Sequence, residues 1–426
     1  MDFDHRGSLV NWVFVGSATF LSLLTNFMPS PSRSRSGSGR RPSPGPEKRP
    51  RDRAGSSAPR PRRRWALPIA LGTAVLLLLG VLAVSVRRWV VARSPEGQLE
   101  RAEAASAAKD WPNALEAWRA VNASPLRKGG TWLAEARAAL ALGKAGEAET
   151  ALEHSTKADP TNPEPWRLLL ELLRVEDRAI EAMDAGWEAY AAVPPTDRRL
   201  ILRDLTLALL ADLPDDLARE TLARWSGTNA SEPDARVALL QRMSSMPRAG
   251  DPGRAALIAE LSERLKQDPL HPGIREALIN ALADAGDTGR GRTILDAWPA
   301  DTRDARYWRL RGRWDLEYGR APKKAAEAFT HALEALPNDW KTRARFARAL
   351  QSLGQTAEAK HQAELVGRIR EVLDPNRLGQ RLANAIKHLD DPQSLLDLAD
   401  LTQKAGLERL AQAWRREAGG PGRPPG

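Results

Sequence analysis

From about residue 95 onward the apolar positions of this chain fall three and four apart, as in Leu168, Leu169, Leu172 and Leu173 and again in Leu200, Leu207 and Leu210. That period gathers them on one face of an α-helix. Gly143, Gly286, Gly354 and Gly406, or Pro160, Pro194, Pro269 and Pro337, close the helical stretches. No β-branched alternating run reaches strand length. A second, longer period is laid over the first. One copy runs Trp132, Ala136, Ala139, Gly143, Ala148, Leu152, Ser155, Pro160, and another runs Trp308, Gly312, Gly319, Ala325, Phe329, Ala332, Pro337. The period is about 34 residues, which predicts an array of helix-turn-helix repeats. Such arrays bind other proteins far more often than they do chemistry.

The pattern is different before residue 95. Residues 65–86, WALPIALGTAVLLLLGVLAVSV, carry no charge. As a helix they extend roughly 33 Å, enough for a hydrocarbon core of about 30 Å. Trp65 and Trp89 flank them at interfacial depth, and Pro68 falls in the first turn, where a missing N–H costs least. This predicts a transmembrane helix. Residues 9–28 are a weaker candidate, diluted by Asn11, Ser17, Thr19, Ser22, Thr25 and Asn26, so 1–28 reads as a first span or an interfacial segment. Asp2 and Asp4 replace the positive start of a secretory signal. Residues 29–64 are dominated by Pro, Ser, Arg and Gly with no apolar run, and are expected to be a disordered linker. The tail 418–426 reads the same way.

The formal net charge of +10 first suggests a nucleic-acid binder. Its distribution argues otherwise: residues 1–64 hold 13 Lys and Arg against four Asp and Glu, so most of the excess lies beside the apolar span. A polybasic tract there sets topology or touches anionic lipid. It also lacks the interleaved aromatics that stack on single strands. Nucleic acid is therefore not an expected partner. The positive-inside rule puts 29–64 in the cytoplasm and the repeats on the extracytoplasmic side. The chain has no cysteine, which excludes disulfides, thiolate catalysis and Cys-based zinc sites. Its six histidines are scattered singly, without HxxxH or HExxH spacing. Gly289-Arg290-Gly291 lies between helices and lacks a third glycine, so it is a turn and not a phosphate cradle. No enzyme activity, cofactor or metal is expected.

The repeat spacing resembles the tetratricopeptide repeat (TPR). In that family small residues sit where the two helices of a repeat cross, and bulky ones fill the gap to the next repeat. Trp166, Leu173, Ala182 and Pro194 fit, although Gly186 stands where an aromatic belongs and Trp187 is one residue late. Leu278, Leu282, Gly286, Leu295 and Trp298 fit, with Gly291 at a helix-B alanine position. In the Trp308 copy, Ala325 and the residues after it run one position late, which implies a turn with one extra residue. Phe346, Ala347, Leu350, Gly354 and Ala359 make a further unit, and Leu398, Ala399, Gly406 and Ala411 another, with Trp414 one residue early. The stretches 197–231 and 238–271 are helical but poor in consensus. The fold expected is all-α: a superhelical solenoid of TPR-like repeats over 95–417, preceded by one or two transmembrane helices.

The resemblance implies a concave face lined by the first helix of each repeat. Those positions carry Arg306, Arg309 and Arg313 in one repeat and Lys341 and Arg348 in the next. Arg306, Arg309 and Arg313 share one helical face, and a basic stripe in a groove suits an acidic peptide through bidentate guanidinium contacts. The alternative is a solvated face paired with Asp315, Glu317 and Glu327. The expected function is a membrane-anchored protein-interaction scaffold or adaptor. Composition rich in Ala, Arg, Gly and Pro fits a GC-rich bacterium, and the layout is similar to TPR-containing assembly factors for c-type cytochromes.

Overall fold

A computed structural model describes residues 94–211, 213–226, 233–244 and 252–419. The expectations for 1–28, 29–64 and 65–86 lie outside these residues, and among the described ones no helix is long and apolar enough to cross a membrane. The described chain is helical throughout, with no strand. Its first half holds α1 (Pro95–Ala107), α2 (Trp111–Asn122), α3 (Gly129–Ala141), α4 (Ala145–Ala158), α5 (Pro163–Val175), α6 (Ala179–Ala192), α7 (Arg198–Leu210), α8 (Asp215–Ser226) and α9 (Pro233–Ser244). Then follow α10 (Pro252–Gln267), α11 (Pro272–Asp284), α12 (Thr288–Asp296), α13 (Ala305–Glu317), α14 (Pro322–Ala335), α15 (Trp340–Ser352), α16 (Thr356–Val372), α17 (Pro375–Lys387), α18 (Pro392–Lys404) and α19 (Glu408–Ala418).

Most helices start on a recognisable signal. Ser94, Asn162, His271 and Asp391 each accept a backbone N–H of the first turn, and each is followed by a proline whose missing N–H is no loss there. The hairpin turns share one device. Their middle residue takes a positive φ, at Lys109, Gly143, Asp177, Gly286, Gly354 and Gly406. Glycine does this at little cost, and at Gly143 a Cβ would also lie 3.3 Å from the carbonyl oxygen of Arg224. The α13–α14 turn has the extra residue read from the sequence, and its positive φ falls on Arg320.

Within a hairpin the consensus does the packing. Ala136, Ala139, Ala148 and Leu152 are fully buried between α3 and α4, and Ser155 Oγ donates to the Gly129 carbonyl at 2.8 Å. At Gly312 an added Cβ would come within 2.6 Å of the Phe329 ring, so α13 and α14 cross on a glycine. The two glycines that replace larger consensus residues are filled from the next helix: Leu205 lies over Gly186, and Trp314 lies over Gly291.

The regular series breaks after α7. In the hairpins closed at Ala108, Leu142, Ala285, Leu353 and Ala405 the residue just after the first helix is helical in conformation, but its counterpart Ala211 is extended (φ −112°, ψ 103°). Helix α8 leaves α7 and pairs with α9 instead. The vacated flank of α7 is taken by α19, some 200 residues later in the chain. Trp414 is fully buried there, and its indole N–H donates to Thr206 Oγ1 at 3.1 Å. Arg199 donates to the Leu389 and Glu417 carbonyls at 3.1 Å each, Tyr190 OH donates to Glu417, and Asn338 donates to the Leu209 carbonyl. One hydrophobic core therefore joins Ala102–Leu239 to Val372–Trp414, while Phe329 and its neighbours form a separate cluster. The array is a solenoid whose C-terminal end docks on its own middle. Helix α17, between the last two hairpins, has no hairpin partner of its own and buries Leu378, Leu382 and Ala385 in the large core.

Candidate functional site

The expected groove residues are placed on two kinds of surface. Arg306, Arg309 and Arg313 follow one another down α13, and Asp304 caps that helix. Arg306 sends Nη2 to both carboxylate oxygens of Glu181 at 2.6 Å and Nη1 to Asp304 at 2.6 Å. Arg309 binds Glu276 and, at 3.3 Å, Asp339. Arg313 donates to Glu317 and to Asn280 Oδ1, both at 3.1 Å. The basic stripe is therefore not an open surface, because these three guanidiniums are engaged by the chain's own carboxylates and an amide. Of the acids expected to pair with this face, Glu317 is the one that reaches it, through Arg313. Lys341 and Arg348 stay exposed on α15, and Lys341 lies 5.8 Å from the centre of the Trp340 ring.

The ion pairs do not stop at α13. Glu181 reaches Arg178 at 3.4 Å, and the Arg178 guanidinium lies among Glu149 (2.7 Å), Glu176 (3.1 Å) and Asp234 (3.7 Å). Asp234 meets His271 Nε2 at 3.1 Å, while His271 Nδ1 accepts the Ile274 N–H that starts α11. That pairing assigns the ring proton to Nε2. A single polar network thus runs through the interior from α4 to α15. It holds α13 against α6, which lies 125 residues earlier.

Charge balance sets the state of each acid. Burial pushes the Glu176 carboxyl up to about 8, against the pull of Arg178, and the neighbouring Asp234 and Glu149 carboxylates add to the rise. Burial also opposes the Glu181 charge, but Arg306 and Arg178 outweigh it and hold the carboxyl below its usual range. Asp234 is lowered as well, burial being outweighed by the His271 hydrogen bond and Arg178. For Arg178, burial works against the charge, yet Asp234 and Glu149 hold it above the usual range.

Glu149, Glu176 and Asp234 bring ligand oxygens within 4.8 Å of one another, a spacing a metal ion can use. Arg178 already provides the positive charge at that point, so a divalent ion there faces a fixed cation. The arrangement reads as a buried structural network.

Part of this network was legible in the sequence. Glu276 and Asp339 lie 33 and 30 residues from Arg309, and Asn280 lies 33 from Arg313. Each is close to one repeat period away, where stacked repeats bring side chains together. The Arg306–Glu181 pair follows no such period, because it depends on how the whole array curls.

A family model described as a tetratricopeptide repeat matches residues 248–313, the stretch from α10 to α13. No curated protein matches the chain. Among solved structures it is similar to a tetratricopeptide repeat protein from Parabacteroides merdae, at 13% identity and a TM-score of 0.29, over 60% of this chain and 99% of that one. It is also similar to the Cut9–Hcn1 hetero-tetramer of the APC/C (15%, 0.31, 78% and 67%) and to yeast Tom70 (9%, 0.25, 77% and 76%). Scores this low carry no argument about shape or partner.

Proposed function

We propose, from the match of residues 248–313 to a tetratricopeptide-repeat model and the run of helix hairpins around it, that the chain is a membrane-anchored scaffold that holds partner proteins beside the bilayer. The observation that carries this reading is the run of helix hairpins from Pro95 to Ala418, with repeat identity at 248–313. A rigid all-α array presents a preorganised surface, so little ordering entropy is lost when a partner docks. The uncharged run 65–86 supplies the anchor in this proposal, and anchoring raises the effective concentration of anything held. The basic linker 29–64 faces the cytoplasm and the repeats face the other side. Lys341 and Arg348, exposed on α15, are available to acidic partners.

The test is crosslinking and affinity capture of the tagged full chain from membranes. A discrete partner that co-purifies with the membrane fraction supports the proposal. Extraction of the intact chain by salt alone, or capture of no partner, overturns it. Sidedness has its own readout. The chain lacks cysteine, so Ser38→Cys and Ser124→Cys each create one labelling site. An impermeant thiol reagent added from outside should label Ser124→Cys and spare Ser38→Cys.

A further inference from the structure

The seam between α6, α7 and α19 leaves a cleft of about 1270 Å³, larger than the ~300–1,000 Å³ of ordinary small-molecule pockets. Arg198, Arg199, Arg409, Arg415 and Arg416 line it against two carboxylates, Asp390 and Glu417. Its apolar wall includes Leu200, Leu389 and Ala413. No single repeat contains this cleft. It exists because α19 docks on α7, and Arg199 fixes its mouth by holding the Leu389 and Glu417 carbonyls.

The arginines are not equally engaged. Arg199 is committed to the seam, and Arg415 donates to Gln403. The Arg409 guanidinium carbon lies 4.0 Å from the centre of the Trp187 ring, exposed and without an ion pair among the described residues. Arg198 lies 5.3 Å from the Tyr190 ring centre, with Nε shielded from water and lacking a hydrogen-bond partner. The side chain of Arg416 is exposed beside them. Three guanidiniums thus face one cleft with hydrogen-bonding capacity to spare.

We propose that this cleft binds an acidic peptide segment of a partner protein, its carboxylates held by Arg198, Arg409 and Arg416 and an apolar side chain seated against Leu200 and Leu389. Guanidinium forks match carboxylates bidentately, and backing by an aromatic face fixes their orientation. A single-stranded nucleic acid fits less well. Arg409 and Arg198 already cover the Trp187 and Tyr190 faces on which bases would stack. The proposal rests on the scaffold reading and names one place where a partner docks.

The test titrates a dye-labelled peptide of about ten residues, Glu and Asp around one Phe, into the full chain and reads anisotropy. Saturable binding is expected, weakened roughly tenfold or more by Arg409→Glu and by Arg416→Glu. Arg292→Glu, on the distant helix α12, should leave it unchanged. Arg416→Gln should lose less than Arg416→Glu, and unfolding midpoints confirm that each variant folds. Absence of saturable binding, or equal loss in Arg292→Glu, overturns the proposal. So does an oligonucleotide of equal charge that binds as tightly and displaces the peptide. If the Arg409→Glu/Arg416→Glu chain still captures the membrane partner while the native chain binds no peptide, the cleft falls and the scaffold stands. If the native chain binds the peptide but captures nothing from membranes, the scaffold falls and the cleft stands.

Discussion

The α3–α4 hairpin and the α7–α19 seam both bury helix against helix, but they are encoded differently. In the hairpin, the residues that touch lie within one repeat and follow the consensus: Ala136, Ala139 and Ala148 are small and buried where the helices cross, and the bulkier Leu152 is buried beside them. In the seam, the contacts come from residues that depart from the consensus. Trp414 sits one position early, and Trp187 sits one late and lines the cleft. Polar anchors, Thr206 to Trp414, Tyr190 to Glu417 and Arg199 to two carbonyls, fix the seam's register. A local pair forms at low loop entropy. A pair some 200 residues apart needs the intervening hairpins in place first, and its hydrogen bonds select one docking among many apolar ones.

Four substitutions break or sharpen this comparison. Trp414→Ala should have the largest effect, removing roughly 3–5 kcal/mol of packing from the seam. Because neighbouring repeats are stabilised mainly by each other, amide exchange should quicken in α7 and α19 while α3 and α4 stay protected. Uniform loss of protection across the chain would mean that seam and hairpins fold as one unit. Gly312→Ala tests a local crossing, where the new Cβ would sit 2.6 Å from Phe329. About 1–3 kcal/mol of overpacking cost is expected, read as a lower urea midpoint with protection lost first in α13 and α14.

Glu176→Gln probes the buried polar network, which joins helices far apart in the chain but includes no residue of α7 or α19. The Glu176 carboxyl is pushed up to about 8 when folded, from an ordinary value of 4.5. The folded state therefore holds its proton more tightly, and the stability this gives is complete below the ordinary value and lost as pH rises through about 8. The glutamine variant should match the native chain near pH 4 and melt higher than it near pH 9. Identical melting curves at both pH values would show that the folded chain does not raise the Glu176 carboxyl above its ordinary value. The smallest effect is expected at Arg320, which holds φ 48° in the four-residue turn. Arg320→Gly should relieve strain and stabilise by up to about 1 kcal/mol, seen as a slightly raised melting temperature.

The family resemblance was legible because the repeat consensus is a record of local sterics. Small residues must recur where helices cross, and Trp308, Gly312 and Phe329 keep that spacing whatever surrounds them. The stretch 248–313 carries enough of it to match the family outright, even though 238–271 looked poor in consensus. The candidate site was legible only in part. Arg306, Arg309 and Arg313 do form one face, but a helical wheel does not show what stands opposite it.

By itself the sequence determined the all-α repeat architecture, most hairpin turns and the extra residue before Arg320, since each follows from periods and φ preferences within a few residues. Only the tertiary structure decided that Ala211 ends the regular turn series, that α19 fills the vacated flank of α7, and that Glu181 meets Arg306. Those outcomes depend on the summed rotation of every repeat between the partners, a quantity that no local pattern carries.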